Sequence, residues 1–239
     1  MYMTKEHDDK EFDIECSIIR LYNNIDITHR DSVFFKISRC LEKLKEKNVF
    51  SFFTSEGREP QPLGTINLEN SVYAIDPCYE PGSRYSGKID NVKPGIWHTF
   101  RKIGYCDDWG FRIAELIIRH EDYLEGDIEQ LAEGVDVGVD SGQAGFFDAP
   151  YYEENKAKEN EDEWYDRVSD ITLGEKSAGT IDMKGVVASS GFGDGGYNLY
   201  THEVDGKVVG MRIEFICQET LDEYYNEWLH PEPVNGGGS

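Results

Sequence analysis

Basic residues are scarce in this chain of 239 residues: 24 Lys and Arg face 47 Asp and Glu, a formal charge of −23. A general nucleic-acid binder needs cations to neutralise phosphates and release counterions, so direct nucleic-acid binding is disfavoured. The same field opposes an anionic membrane surface. No apolar run approaches the roughly 20 residues that span a bilayer. The N-terminal MYMTKEHDDKEFD has no apolar stretch of the signal-peptide kind, which points to the cytoplasm. The cysteines (Cys16, Cys40, Cys78, Cys106 and Cys217) are odd in number and contain no CxxC, so they form neither a disulfide framework nor a zinc ribbon. The histidines lack HxH and HExxH spacing, and no DxDxDG calcium loop is present.

What remains suits a folded chain. Hydrophobic residues make up 38% and aromatics 13%, too rich for acidic disorder. Phe12, Ile14, Cys16 and Ile18 alternate with polar residues at strand period. An amphipathic helix near 30–48 follows, with Val33, Phe34, Ile37, Cys40, Leu41 and Leu44 on one stripe. The polar break 54–62 sets the division we expect: an N-terminal strand-helix-strand module over 1–60, a β-rich domain over 61–230, and a tail or linker over 231–239.

Short strand-like runs cover 63–68, 72–76, 96–103, 111–119, 135–140, 143–147, 185–190, 196–203 and 207–217. Turn residues such as Asp140-Ser141-Gly142 and Asp205-Gly206 separate most of them. In the last run Val209, Met211, Ile213, Phe215 and Cys217 are expected on one face, with Val208, Gly210, Arg212 and Glu214 on the other. The acidic stretch 153–170 reads as a solvated helix or lid, and 221–229 as a short amphipathic helix packing through Leu221. The fold class expected is α+β, predominantly antiparallel β, as a sandwich or open barrel. Two β-units are proposed as repeats, because hairpins near 95 and 195 share a leading Gly, aromatics and an Asp-containing turn, with Asp76 and Asp140 upstream.

The candidate chemistry lies at strand ends. Asp76, Asp140 and Asp194 would hold Mg²⁺ or Ca²⁺ through oxygen ligands if the repeat brings them together. Asp136 and Asp148 hold similar places, although turn Asp residues commonly cap their own backbone. A ligand or anion site is expected to draw on Asp76, Tyr79, Asp140, Ser141, Gln143, Gly193, Asp194 and Gly195. Gly191–Gly196 satisfies GxGxxG, yet a strand and not a helix follows it, so the dinucleotide reading is rejected in favour of a glycine turn. His98 and His202 take matching places in the two hairpins and are the acid/base candidates. Cys78 would need His98 close by to act as a nucleophile. Ser141 lacks the G-x-S-x-G elbow.

The segments IDPCYEP (75–81), GFRIAELIIRH (110–120), VDVGVDSGQAGFFDAPYY (135–152), EWYDRVSDITL (163–173), GVVASSGFGDGGYNLY (185–200) and KVVGMRIEFI (207–216) resemble a domain-of-unknown-function family of bacterial and phage proteins. The resemblance covers most of 63–217 and implies a β-rich domain. It assigns no functional residue. The function expected is a non-catalytic acidic interaction protein, of the phage or mobile-element inhibitor or immunity kind, covering a basic site on a protein partner. The alternative is a small-ligand or nucleotide-binding protein, or a metal-dependent hydrolase, built on the strand-end Asp residues and the 191–196 turn. No cofactor is expected beyond Mg or Ca in that second case.

Overall fold

The computed structural model describes residues 59–106, 109, 111–123, 130–158 and 161–229. The expected N-terminal module, apart from Glu59 and Pro60, lies outside these residues, as do its helix and the 231–239 tail. The elements run β1 (Gln61–Leu68), β2 (Val72–Ile75), β3 (Gly87–Ile89), β4 (Gly95–Tyr105), β5 (Phe111–His120), β6 (Gln130–Val139) and β7 (Gln143–Asp148). Then come α1 (Ala149–Lys158), α2 (Glu161–Thr172), β8 (Ala178–Ile181), β9 (Gly185–Ser189), β10 (Gly195–Val204), β11 (Lys207–Glu214) and α3 (Gln218–Leu229).

Two antiparallel sheets form a sandwich. One has the order β1-β4-β5-β11-β10-β6 and the other β3-β2-β7-β9-β8. With β8 set aside, which has no counterpart, both orders read the same from each end under one exchange: β1 with β6, β2 with β7, β3 with β9, β4 with β10, and β5 with β11. The repeat inferred from the hairpins is therefore a pseudo-two-fold, and the antiparallel pairs β5–β11 and β2–β7 flank its axis. Backbone bonds between the sheets obey the same exchange. Asn67 N–H donates to Met183 O at one edge, and Gly138 N–H to Tyr85 O at the other.

The core between the sheets is built from the inward alternation of these strands. Ile66, Leu68, Trp97, Leu116, Ile118, Phe146, Leu199, Met211 and Ile213 are fully or almost fully buried there. In β11 the alternation slips. Register shifts between His202 and Glu203, so that His202 faces Gly210 and Glu203 faces Val208. Val209 is the extra residue of a bulge, which flips the phase and sends Val208 into the same core as Met211 and Ile213. This corrects the expected faces of 207–217. The strand also ends at Glu214, and Cys217 is exposed beyond it.

The acidic stretch 153–170 belongs to two helices, and they are not a solvated lid. Tyr152, Trp164 and Val168 are fully buried against Tyr73, Ile75, Phe147 and Val187 of the second sheet. Trp164 makes edge contacts with Phe147 and Tyr152, each at 5.6 Å. At the other end of the chain, α3 packs Leu221 where the absent side chain of Gly104 leaves room.

Candidate functional site

The exchange of β3 with β9 exposes a difference between the two edges. Between β7 and β9 the chain inserts residues 149–184, which make α1, α2 and β8. Between β2 and β3 it has only residues 76–86, a run of turns. The turns are closed by Ser83 N–H to Glu80 O and Ser86 N–H to Ser83 O. Beside them lies an open groove of about 720 Å³, lined by Tyr79, Arg84, Tyr85, Lys88, Asp140 and the backbone of Gly138, Gly195 and Gly196.

Asp76 builds the floor. It is fully buried, yet both of its oxygens are engaged. Oδ1 accepts from Cys78 N–H (2.9 Å) and Ser141 Oγ–H (2.6 Å), and Oδ2 from Asp140 N–H and Ser141 N–H (2.8 Å each). Four donors compensate the desolvated charge and tie the end of β2 to the β6–β7 turn. Asp148 is the counterpart of Asp76 under the two-fold: its Oδ2 accepts Glu69 N–H at 2.7 Å, from the β1–β2 turn. The sequence comparison of Asp76 with Asp140 is therefore off; Asp140 corresponds to Glu69.

The loop above this floor is held from the helices. Tyr152 phenol donates to Tyr79 O (2.8 Å) and the Trp164 indole N–H to Pro77 O (3.3 Å). Tyr79 stacks on Tyr85 with ring centroids 5.3 Å apart, and the Arg84 guanidinium lies 4.4 Å over the Tyr85 ring. Asp140 is exposed at the wall. Burial raises the Tyr79 phenol, and its hydrogen bond to Asp140 raises it further. Burial likewise pushes the Cys78 thiol up to about 12, with the Asp76 carboxylate beside it adding to the shift. Both groups keep their protons at neutral pH, which suits hydrogen-bond donation and disfavours nucleophilic attack.

The other candidates fall elsewhere. Gln143 is buried and spent on α2: it accepts from Thr172 Oγ–H (2.8 Å), and its Nε2 reaches Ser169 Oγ (3.3 Å). His98 is exposed on β4, while His202 is buried on β10 with its ring edge-on to Tyr123. The strands β5 and β11 lie between them, so they do not form an acid/base pair. The 191–196 turn closes on itself. Gly193 N–H donates to Ser190 O, and the Tyr197 phenol lies 2.6 Å from Gly193 O and 2.9 Å from Ser190 O. Gly191 has φ 57°, and a Cβ there would meet Ile216 and Phe215 at 3.0–3.1 Å, which explains the glycine. Asp194 stands exposed before Gly195. Among the described residues, no three His, Cys, Asp or Glu side chains come together to hold a metal ion. Among the described helices, none is long and apolar enough to cross a membrane.

Pattern reading found Asp76, Tyr79, Asp140 and Gly195 but missed Arg84, Tyr85 and Lys88. The signal available was the Pro81-Gly82 turn with Tyr79 and Tyr85 on either side. No protein-family model, curated protein or solved structure matches this chain.

Proposed function

We propose that this chain is a non-catalytic acidic interaction protein that holds a basic protein partner in the cytoplasm, in the manner of a phage or mobile-element inhibitor or immunity protein covering a basic site. The observation that carries this reading is the groove at the open edge. Its wall offers the exposed carboxylate of Asp140 beside two tyrosine rings. Exposed Glu80, Asp90 and Asp194 flank the segments that line it, against Arg84 and Lys88. Lys88 is neutralised in place by Glu153 at 3.5 Å. A guanidinium or ammonium from a partner gains a charge-assisted hydrogen bond from the carboxylate. A charge of −23 adds long-range attraction that speeds encounter. The proton-holding state of Cys78 and Tyr79 fits binding better than nucleophilic chemistry.

The test is titration of the full chain with a Lys/Arg-rich peptide, for the natural protein and for Asp140→Asn. The expected result is binding that weakens as salt shortens the Debye length from about 10 Å at 0.1 M toward about 3 Å at 1 M, and that is weaker in the variant. Tight binding of duplex DNA or RNA near physiological salt, or no binding of the basic peptide, would overturn the reading. The stacked Tyr79–Tyr85 pair favours a second reading, a ring-bearing small ligand such as a nucleotide, with Mg²⁺ or Ca²⁺ held near Asp140. A rise in melting temperature with nucleotide or millimolar metal, lost in Asp140→Asn, would support that instead.

A further inference from the structure

We infer that the groove receives its partner as an extended strand added to the free edge of β3. This rests on the basic-partner reading above and specifies its geometry.

The two-fold supplies the argument. β3 and β9 are counterparts, each paired antiparallel to a central strand, β2 or β7. Each is preceded, two residues earlier, by a residue whose carbonyl accepts from the facing sheet: Tyr85 for β3 and Met183 for β9. Beyond that point the halves diverge. β9 carries β8 on its outer edge, from Ala178↔Ala188 to Ile181↔Gly185. β3 ends its sheet, with no further strand beside it among the described residues. The segment matching β8 in position is Glu80–Ser83, where Pro81 and Gly82 make a turn. Proline lacks the N–H a ladder needs, so this segment is unfit to pair there.

The groove runs along that edge, since Gly87 and Lys88 of β3 line it together with Gly138 and Asp140 opposite. A short edge strand bearing Lys is one way a sheet avoids unwanted pairing. Lys88 does not serve that purpose here. Its ammonium lies 5.3 Å over the Tyr73 ring and pairs with Glu153 of α1, so it is folded onto the helical side of the sheet. Main-chain bonds would supply affinity and alternate side chains specificity. One face of the added strand would meet Tyr79, Tyr85 with Arg84 over its ring, and Asp140, and a cationic residue fits at Asp140. The net acidity of the flanking residues selects a basic segment over an acidic one.

The probe is a capped peptide of about eight alternating Lys and Val residues, a length typical of a single strand. It is compared with two versions N-methylated at alternate peptide bonds, one of each parity. A strand uses the N–H groups of one parity on the shared edge. The expected result is a loss of about tenfold or more in affinity for one methylated version and less than about twofold for the other. Amide exchange of Gly87–Ile89 is expected to slow on binding. Equal effects of both methylations would remove the strand mode and leave the basic-partner reading standing. No binding of any of the three up to about 1 mM would remove both. The amides of Gly87–Ile89 that face β2 are slow in either case; slow exchange in the protein alone at those that point away from β2, or slowing of these with protein concentration, would mean that the chain itself or a second copy holds the edge, and would overturn the inference.

Discussion

The two edges of the sandwich start from one plan and finish differently. At the edge where β1 faces β8, the chain spends residues 149–184 on two helices and a strand, and Asn67 N–H donates to Met183 O between the sheets. At the edge where β6 faces β3, the equivalent bond from Gly138 N–H to Tyr85 O is kept, but turns replace the insertion and a groove remains. Stability and recognition are thereby separated. The insertion buries Tyr152 and Trp164 and also holds the groove loop through Tyr79 O and Pro77 O. The open edge carries Arg84, Tyr85 and Asp140, exposed side chains outside both buried clusters.

The sharpest way to break this contrast is truncation on each side. Trp164→Ala removes a fully buried indole and is expected to cost about 3–5 kcal/mol in denaturant unfolding. Tyr85→Ala at the exposed groove wall should stay within about 1 kcal/mol while weakening binding of the basic peptide. Equal losses would show that the groove loop is part of the stabilising core.

The paired aspartates sharpen the comparison further. Asp76→Asn places an amide among four donors and cannot accept all of them, so a loss of about 2–3 kcal/mol is expected. Asp148→Asn should cost about 1 kcal/mol. Burial already raises the Asp148 carboxyl, so its charged form is disfavoured despite the Glu69 N–H and Lys184. A stability difference near zero between these two variants, measured at neutral pH, would contradict the distinction.

The smallest effect concerns acid. The Tyr73 phenol donates to Glu153 at 2.8 Å and holds that carboxyl below its ordinary value of 4.5. A depressed carboxyl adds stability above its unfolded value, and this is lost as pH falls through the lower folded value. Tyr73→Phe should therefore remove a slight acid-dependent part of the stability and move the Glu153 titration, followed by NMR, up toward 4.5. An unmoved titration would show that the hydrogen bond does not set it.

Much of the fold was legible because short apolar runs bounded by turn residues mark strands even where both faces are buried, as in β2 and β7. The runs 72–76, 111–119, 143–147 and 196–203 differ from β2, β5, β7 and β10 by only one residue at either end. β3 and β8 do not stand out, since GKI and AGTI carry too few apolar or β-branched residues, whereas the equally short VYAI of β2 is apolar throughout. The phase of β11 was misread because a bulge is a register event between strands, invisible within one strand. Around Trp164, acidic neighbours give the sequence the look of a solvated helix and mask a narrow stripe, Trp164 and Val168, spaced one turn apart. At the site, Asp76 and Asp140 stood out as turn residues, but their joining depends on the two-fold, which pattern reading detected only in the hairpins. Arg84, Tyr85 and Lys88 sit in a segment of turns, where no periodicity marks which side chains face a groove.

The most direct measurement is an amide-exchange footprint of the full chain with and without the alternating Lys–Val peptide. The account predicts slowed exchange confined to 79–89, 138–140 and 195–196, with Ala178–Ile181 at the sealed edge unchanged. Protection centred on Ala178–Ile181, or spread evenly over both edges, would contradict the claim that the open edge is where this protein recognises its partner.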